Sequence, residues 1–207
     1  MWNSLHAEHT HSSDAKIQDG NSVENKLMFC KVTWMTEYRG EIHERTRYRN
    51  IDNDNNDEQR QGGEAYLFKA YRGNCYGYVH LGRTDPADDD TIRKINVQAV
   101  GASPGSNMAT GVHVIWLSSL PKGGKYVVGE YRNANVYREA QERVGNRRWG
   151  WNVSASIESV RFIPVEARLP ITGVSLRQGN LWYATKASDR SSRVQAQKHL
   201  NRYARGL

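Results

Sequence analysis

The fold of this chain is decided by residues 111–138, which read Gly111-Val-His-Val-Ile-Trp-Leu117, a Pro-Lys-Gly-Gly turn, and then Tyr126-Val-Val-Gly-Glu-Tyr-Arg-Asn-Ala-Asn-Val-Tyr-Arg138. Two runs rich in β-branched and aromatic residues flank a glycine-containing turn, which predicts a β-hairpin. The second run leads into a segment dense in aromatic, amide and guanidinium groups. Such groups suit a planar, hydrogen-bonding, anionic ligand, and a nucleotide base fits that description.

Apolar runs on both sides of this hairpin predict further strands, mostly in adjacent pairs. We therefore expect an α+β domain with a strongly curved antiparallel sheet or small barrel and a few flanking helices. The predicted strands are 27–35, 65–71 and 75–81 (a hairpin around Arg72-Gly73-Asn74), 92–100, 156–164 and 181–185, and the predicted helices are 136–144 and 188–204.

The length of 207 residues predicts one domain once a polar terminus is subtracted. Residues 1–25 have almost no periodic apolar pattern, so we expect a disordered or loosely attached tail. Residues 26–170 are expected to form the domain proper. Residues 171–207 would add a strand and a basic helix packed on it, and polar insertions are expected at 41–63 and 85–90.

The positive charge of the chain is concentrated in its C-terminal part. Residues 1–120 hold 13 Lys and Arg against 16 Asp and Glu, a net charge of −3, whereas residues 121–207 hold 16 against 6, a net charge of +10. A one-sided positive field favours a polyanionic partner, because the release of counterions drives binding to nucleic acid regardless of its sequence.

The cysteine and histidine content predicts neither a metal site nor a cofactor. Cys30 and Cys75 lie in apolar or aromatic contexts without ligands at metal-binding spacing, so we expect two buried thiols. The Asp52–Asp57 cluster lacks the glycine and glutamate of a calcium loop. An apolar signal core and a membrane-spanning run are both missing from the sequence, which favours a cytoplasmic protein with no membrane partner.

Four segments resemble one known family: Phe29-Cys-Lys-Val-Thr-Trp34-Met35, Asn74-Cys-Tyr-Gly-Tyr78, Gly111-Val-His-Val-Ile-Trp116 and Val128-Gly-Glu-Tyr-Arg-Asn-Ala-Asn-Val-Tyr-Arg138. They are similar to the reader domain at the front of some bacterial HNH-type modification-dependent restriction endonucleases, a PUA-like domain related to EVE, YTH and SRA domains. The resemblance covers residues 27–165, and its most specific part is the last segment. It implies a pseudobarrel with an aromatic pocket for one nucleobase, often a modified one, flipped from its helix.

The sequence departs from the family pattern at two positions. Glu130 stands where a Trp is expected, and Asn135 stands where Thr or a similar small residue is expected. If the missing indole forms a wall of the pocket, base stacking is weakened or the ligand is changed. A carboxylate at this position can instead accept hydrogen bonds from an exocyclic amine, as acidic side chains do from cytosine N4.

A pocket for a flipped base needs stacking rings and hydrogen-bonding groups together, because extrusion costs a few kcal/mol that binding must offset. The stacking candidates are Trp34, Trp116 and Tyr131, although each Trp is equally well explained as a core residue. The edge-reading candidates are Asn74 and Asn133. Glu130 and Tyr137 complete the predicted base pocket, and Arg138, Arg147 and Arg148 are the predicted phosphate contacts.

The segment Arg147-Arg148-Trp149-Gly150-Trp151 combines arginines with tryptophans beside a glycine. This combination suits a loop that grips a nucleic-acid backbone or wedges into a groove, so Trp149 and Trp151 join the phosphate-binding candidates. An ordinary surface loop whose Trp residues cover the core is equally compatible with the pattern. The basic C-terminal helix is open to the same two interpretations.

Recognition is favoured over catalysis, because the sequence lacks a phosphate-binding glycine loop, a nucleophile elbow and a Cys/His metal cluster. We expect a nucleic-acid-binding module, with DNA favoured over RNA, that reads a flipped modified base and acts with a nuclease domain or subunit. An RNA-binding module of the same superfamily, an enzyme acting on nucleic acid, and a peptide-binding module remain alternatives. His113 is more typical of a structural histidine than of a catalytic base.

Overall fold

The hairpin predicted at residues 111–138 is confirmed, and it forms the centre of the fold. The structure is a computed structural model and describes residues 26–40, 63–81, 93–120, 123–142, 144–145, 150–171, 180–184 and 190–204. In these residues eight strands form one mixed sheet, and one α-helix packs against it, which confirms the α+β class. The elements are β1 (Leu27–Val32), β2 (Asn74–Gly77), β3 (Met108–Ser119), β4 (Lys125–Gln141), β5 (Trp151–Ser156), β6 (Val160–Phe162), β7 (Pro170–Ile171), β8 (Leu181–Tyr183) and α1 (Arg190–Ala204).

The order of the strands differs from the expected antiparallel sheet. The order is β2-β5-β4-β3-β1-β8, and β6 and β7 also pair with β4. β1 runs parallel to β3, with Leu27 opposite His113, so the sheet is mixed rather than antiparallel. β2 and β8 lie at opposite ends of this order, and in the described residues the sheet therefore does not close into the expected barrel.

The helix predicted at 136–144 is wrong, because β4 continues as a strand to Gln141. Tyr137 pairs with Met108 of β3, and Val136 pairs with both Ala109 of β3 and Val153 of β5. Several residues of this stretch have a high propensity for helix. Pairing with strands on both sides nevertheless satisfies the backbone N–H and C=O groups in the extended conformation. Irregular register at three places in the β3–β4 pairing bends the hairpin.

Two other predicted strands are also wrong. Residues 63–66 and 97–100 form short 3-10 helical turns, and the expected hairpin at 65–81 is reduced to an isolated bridge between Tyr71 and Asn74. β2 pairs instead with β5. Short apolar runs do not distinguish a strand from a buried turn, and here Leu67 and Phe68 are buried in the core without belonging to a strand.

The sheet is buried on both faces, which explains the nearly continuous apolar run of β1. Because side chains alternate along a strand, Met28 and Cys30 enter one core while Leu27 and Phe29 enter the other. The first core also contains Trp116 and Tyr131. Both cysteines are buried thiols, as predicted.

The second core lies between the sheet and α1. Ala196 and Leu200 of the helix are completely buried against it, and Trp182 of β8 stacks on Phe29 at 5.0 Å between ring centroids. In the part of the chain that the structure describes, no helix is long and apolar enough to cross a membrane. The expected N-terminal tail, the Asp52–Asp57 cluster and the acidic segment 85–90 lie outside the described residues.

Candidate functional site

The three predicted stacking residues lie in the core rather than in an open slot. Trp116 and Tyr131 are completely buried, with ring centroids 5.3 Å apart, and Trp34 is 7% exposed. The Tyr131 hydroxyl donates a hydrogen bond to the Leu67 carbonyl. A Cβ atom at Gly77 would lie 2.6 Å from Cζ2 of Trp116, so this glycine allows the indole to pack flat against β2. In this conformation Trp116 and Tyr131 cannot stack on a base.

Glu130 lies on the opposite face of the sheet from Tyr131 and is 1% exposed. Its carboxylate lies 2.6 Å from Nε2 of His113, 3.0 Å from Nη2 of Arg132 and 3.4 Å from Nη1 of Arg161. Burial alone would raise the pKa of Glu130, but the hydrogen bonds from His113 and Arg132 outweigh it and leave that pKa below its usual range. Glu130 is thus committed to internal ion pairs, and the predicted contact with a base amine is replaced by them.

Of the other predicted edge-reading and phosphate-binding residues in the described part of the chain, Asn74 lies on β2 and Asn133 and Arg138 lie on β4. Asn74 is half-buried at the start of β2, and its side chain donates to the Arg72 carbonyl at 3.4 Å. Asn133 is exposed and has a φ of 50°, at a bend of β4. The guanidinium of Arg138 donates to the Ser106 carbonyl at 3.1 Å and so holds the loop before β3, and its predicted phosphate contact stays a prediction.

Tyr137 and Trp151 do lie together, in an aromatic group that also contains Tyr76. The Trp151 ring is 4.9 Å from that of Tyr76 and 5.0 Å from that of Tyr137, edge to face in both cases. All three rings are half-buried, on the strands β2, β4 and β5. The sequence identified two of these three residues but missed Tyr76.

Arg147, Arg148 and Trp149 lie outside the described residues. By chain connectivity they belong to the segment that joins β4 to Trp151. Gly145 of the same segment approaches Tyr71 closely, since a Cβ atom there would lie 2.7 Å from Cε2 of that ring. The role of Arg147, Arg148 and Trp149 in binding phosphates stays a prediction.

A cleft of about 600 Å³ lies elsewhere, between the segment that follows β1 and the segment that runs from β5 through β6. Ligand sites of proteins commonly measure about 300–1,000 Å³. The cleft is lined by the rings of Phe68 and Phe162, by charged residues on both sides and by exposed aliphatic side chains. Its lining residues are Thr36, Glu37, Arg39, Phe68, Ile157, Val160, Arg161, Phe162, Pro164, Val165 and Glu166.

The two phenylalanines meet at the base of this cleft because β4 has no side chain there. Their ring centroids are 5.0 Å apart. A Cβ atom at Gly129 would collide with the Phe68 ring and with the Arg161 carbonyl oxygen. Gly129 pairs with Phe162 across β4 and β6, so a single glycine permits the close approach of both rings.

The two sides of the cleft are tied together by Arg168, which is 6% exposed. Its guanidinium donates to the carbonyls of Met35 at 2.7 Å and Thr36 at 3.2 Å on one side, and to that of Ile163 at 3.0 Å on the other. Burial lowers the pKa of Arg168 from its usual high value. Since these hydrogen bonds hold backbone carbonyls on both sides of the cleft, Arg168 fixes the position of the segment after β1.

The charges at the cleft are mixed. The guanidinium carbon of Arg39 lies 6.0 Å from the centroid of the Phe162 ring, and Arg39 is exposed. Arg161 is half-buried and joins the lining of the cleft to the ion pairs of Glu130. Glu37 and Glu166 are exposed and supply carboxylate oxygens. The arrangement therefore offers rings for stacking, the exposed guanidinium of Arg39 for an anion and carboxylates as acceptors for amino groups.

Sequence reasoning missed every residue that lines this cleft. The available signals were the Arg39-Gly40 turn a few residues after the first strand and the aromatic residue of Arg161-Phe162-Ile163-Pro164. Both segments are ordinary strand ends in the sequence, and only the fold brings them together. The described residues hold no group of three or more His, Cys, Asp or Glu side chains placed to bind a metal ion.

Compared with models of protein families, with curated proteins and with solved structures, the chain matches none of them.

Proposed function

We propose that this protein is a nucleic-acid-binding module that takes a single base into the cleft between Arg39 and Phe162. The observation that carries the proposal is the combination of two rings and an exposed guanidinium at a cleft of about 600 Å³. This is the chemistry predicted from the sequence, built from different residues. Stacking on an aromatic side chain contributes about 1–3 kcal/mol per base, which is comparable to the cost of extruding one.

The finer part of the proposal is that the base is a modified one, flipped out of double-stranded DNA, as the resemblance to PUA-like reader domains implies. Thr36, Glu37 and Glu166 are the groups in the cleft lining that can bond to the edge of a base. Carboxylates accept hydrogen bonds from the amino group of cytosine. We therefore propose cytosine, or a modified cytosine, as the first base to test. The module would carry no chemistry of its own and would act with a separate nuclease.

The experiment is a binding panel of fluorescently labelled oligonucleotides. The panel contains DNA duplexes with unmodified, methylated or hydroxymethylated cytosine at one position, and RNA of the same sequence. The wild-type protein is compared with Phe162→Leu, which removes a ring and keeps an apolar side chain, and with Arg39→Gln. We expect Phe162→Leu to weaken binding of the preferred base about 5- to 100-fold, in line with the loss of one stacking contact.

Two control variants match these changes outside the cleft. Trp182→Leu removes a half-buried ring from the α1 side of the sheet, and Arg93→Gln removes an exposed cation. Both should keep the discrimination between bases. If Phe162→Leu and Arg39→Gln discriminate as well as the wild type, the cleft does not read the base. If the wild type binds no oligonucleotide, the function itself is rejected. Preferred binding of RNA would assign the module to single-stranded or modified RNA instead.

A peptide-binding module is the second candidate, and one observation favours it. Ile157 and Val165 at the edge of the cleft are 41% and 37% exposed, and these aliphatic side chains suit an apolar peptide residue better than a phosphate. Peptide binding through such contacts depends weakly on salt, whereas nucleic-acid binding weakens steeply. Titration at two salt concentrations separates the two functions.

Incubation of the same oligonucleotides with magnesium or manganese tests whether the protein cleaves nucleic acid.

A further inference from the structure

The helix α1 carries an unusual distribution of charge. Its fifteen residues, Arg-Ser-Ser-Arg-Val-Gln-Ala-Gln-Lys-His-Leu-Asn-Arg-Tyr-Ala, include four Lys or Arg and no Asp or Glu. Arg190, Lys198 and Arg202 are exposed. A helix that is merely solvated normally carries both signs of charge, often as pairs four residues apart. α1 has no such pair within itself.

The three exposed cations occupy one side of the helix. At 3.6 residues per turn, Arg190, Lys198 and Arg202 fall within a sector of about 120°, and they extend over roughly 18 Å along the axis. Ala196 and Leu200, which are buried against the sheet, lie on roughly the opposite side. The cations therefore form an exposed ridge on the side of α1 away from the second core. We call Arg190, Lys198 and Arg202 the cationic ridge.

Helix stability accounts for Arg202, since a cation in the last turn is favourable, but not for the rest of the cationic ridge. The N-terminus of a helix carries a partial positive charge, so a cation in the first turn is unfavourable by about 0.3–1 kcal/mol. Arg190 is the first residue of α1, and its first turn contains no acidic residue. The packing of α1 depends instead on its buried side, where Ala196 and Leu200 enter the second core.

The C-terminal end of α1 adjoins the cleft. Nη1 of Arg161, a residue of the cleft lining, donates to the Leu200 carbonyl at 3.0 Å. Glu166 lines the cleft and also a smaller cavity of about 190 Å³, which Arg202 lines from the helix. A nucleic-acid strand with one base bound in the cleft would therefore pass close to this end of the cationic ridge.

We infer that the cationic ridge of α1 binds the sugar–phosphate backbone of the nucleic acid whose base occupies the cleft. The inference rests on the proposed function and names its phosphate contact, which the sequence had placed at Arg138, Arg147 and Arg148. A ridge of about 18 Å spans roughly five phosphates of one strand at 3.4 Å per base pair. Contacts of this kind fix the position of the duplex and do not depend on its sequence.

The test is the salt dependence of binding to a DNA duplex of roughly 20 base pairs, measured between about 50 and 200 mM salt. The variant carries Arg190→Gln, Lys198→Gln and Arg202→Gln together, because glutamine keeps the propensity for helix. Each phosphate contact contributes about 0.9 to the slope of log affinity against log salt. We expect the slope to become shallower by about 2 to 3 while the preference among bases is kept.

The matched control carries Lys69→Gln, Arg93→Gln and Lys94→Gln, three exposed cations that do not line the cleft. It changes the net charge equally and should change the slope by less than about 1. Circular dichroism and thermal melting verify that both triple variants stay folded.

An unchanged slope in the ridge variant overturns the inference and leaves the base site standing. A wild type that binds no DNA overturns both. Binding to poly-L-glutamate is measured in parallel, and a ridge variant that loses this binding but keeps the wild-type slope with DNA overturns the inference and indicates an acidic protein partner.

Discussion

The guanidinium carbon of Arg168 lies 4.9 Å from the centroid of the Trp34 ring, and both residues are buried. The same guanidinium lies 5.6 Å from the Tyr38 ring and 5.5 Å from the Phe162 ring. A cation packed among three aromatic rings, with its donors on loop carbonyls, holds two distant segments in one geometry. Trp34 therefore acts on the cleft indirectly, by positioning the residue that ties its two sides.

We predict that Arg168→Lys destabilises the protein by about 2–3 kcal/mol, because one ammonium cannot reach the carbonyls that the guanidinium satisfies on both sides of the cleft. Urea denaturation measures the change. Base discrimination should weaken together with stability. Arg93→Lys, at an exposed position outside the cleft, is the control. A variant with wild-type stability would show that the Arg168 contacts do not hold the cleft.

Glu130→Gln should lower the free energy of unfolding by about 3 kcal/mol near pH 7, because it removes the carboxylate that pairs with Arg132 and Arg161 and contacts His113. The pKa of Glu130 is lowered in the folded protein. Its stabilisation is therefore complete above the unfolded pKa of about 4.3 and is lost as the pH falls through the folded value.

The same variant should consequently show a flatter decline of stability in acid than the wild type. Denaturant unfolding at about pH 7 and about pH 3 measures both effects. Glu158→Gln, at an exposed position, is the control and should follow the wild type. An equal acid dependence of wild type and Glu130→Gln would mean that Glu130 does not couple folding to protonation.

Gly129→Ala should cost roughly 2 kcal/mol or more, because the new methyl group meets the Phe68 ring and the Arg161 carbonyl. The φ of Gly129 is not in the left-handed region, so the effect is steric. Phe68→Leu in the same chain removes part of the collision. The two changes together should therefore cost less than the sum of the single changes, which a double-mutant cycle measures. Strict additivity would contradict the contact.

Tyr131→Phe should lower stability by about 1–2 kcal/mol, because the Leu67 carbonyl loses its buried donor. It should leave the discrimination between bases unchanged, since Tyr131 is completely buried. The oligonucleotide panel and a thermal melt measure the two quantities. Loss of discrimination at full stability would return Tyr131 to the base pocket and contradict its structural role.

The central hairpin, the buried first strand and the C-terminal helix could be predicted because their patterns are long and local. β3 and β4 have continuous apolar runs around a glycine turn, and α1 has apolar residues at helical spacing. The parallel pairing of β1 with β3 could not be predicted, since it joins residues more than 80 positions apart. Residues 136–141 were misread because strand pairing overrides local helix propensity.

The kinds of side chain in the candidate site, aromatic rings beside a guanidinium group, were expected from the sequence, but the residues that supply them were not. Aromatic residues dominate the sequence signal, yet their large apolar surfaces are also what a core selects, and Trp116 and Tyr131 are buried for that reason. Phe162 and Arg39 become neighbours only through the pairing of β6 with β4 and the ties of Arg168. Such a juxtaposition leaves no spacing signal in the sequence.

The position of β1 between β3 and β8 has a consequence for synthesis on the ribosome. β8 pairs with Met28, Phe29 and Cys30, although it lies more than 150 residues further along the chain. Until it emerges, one edge of β1 presents unpaired amide and carbonyl groups to other nascent chains. The sheet can be completed only after β8 has been synthesised, so this edge stays open to aggregation during most of the synthesis of the domain.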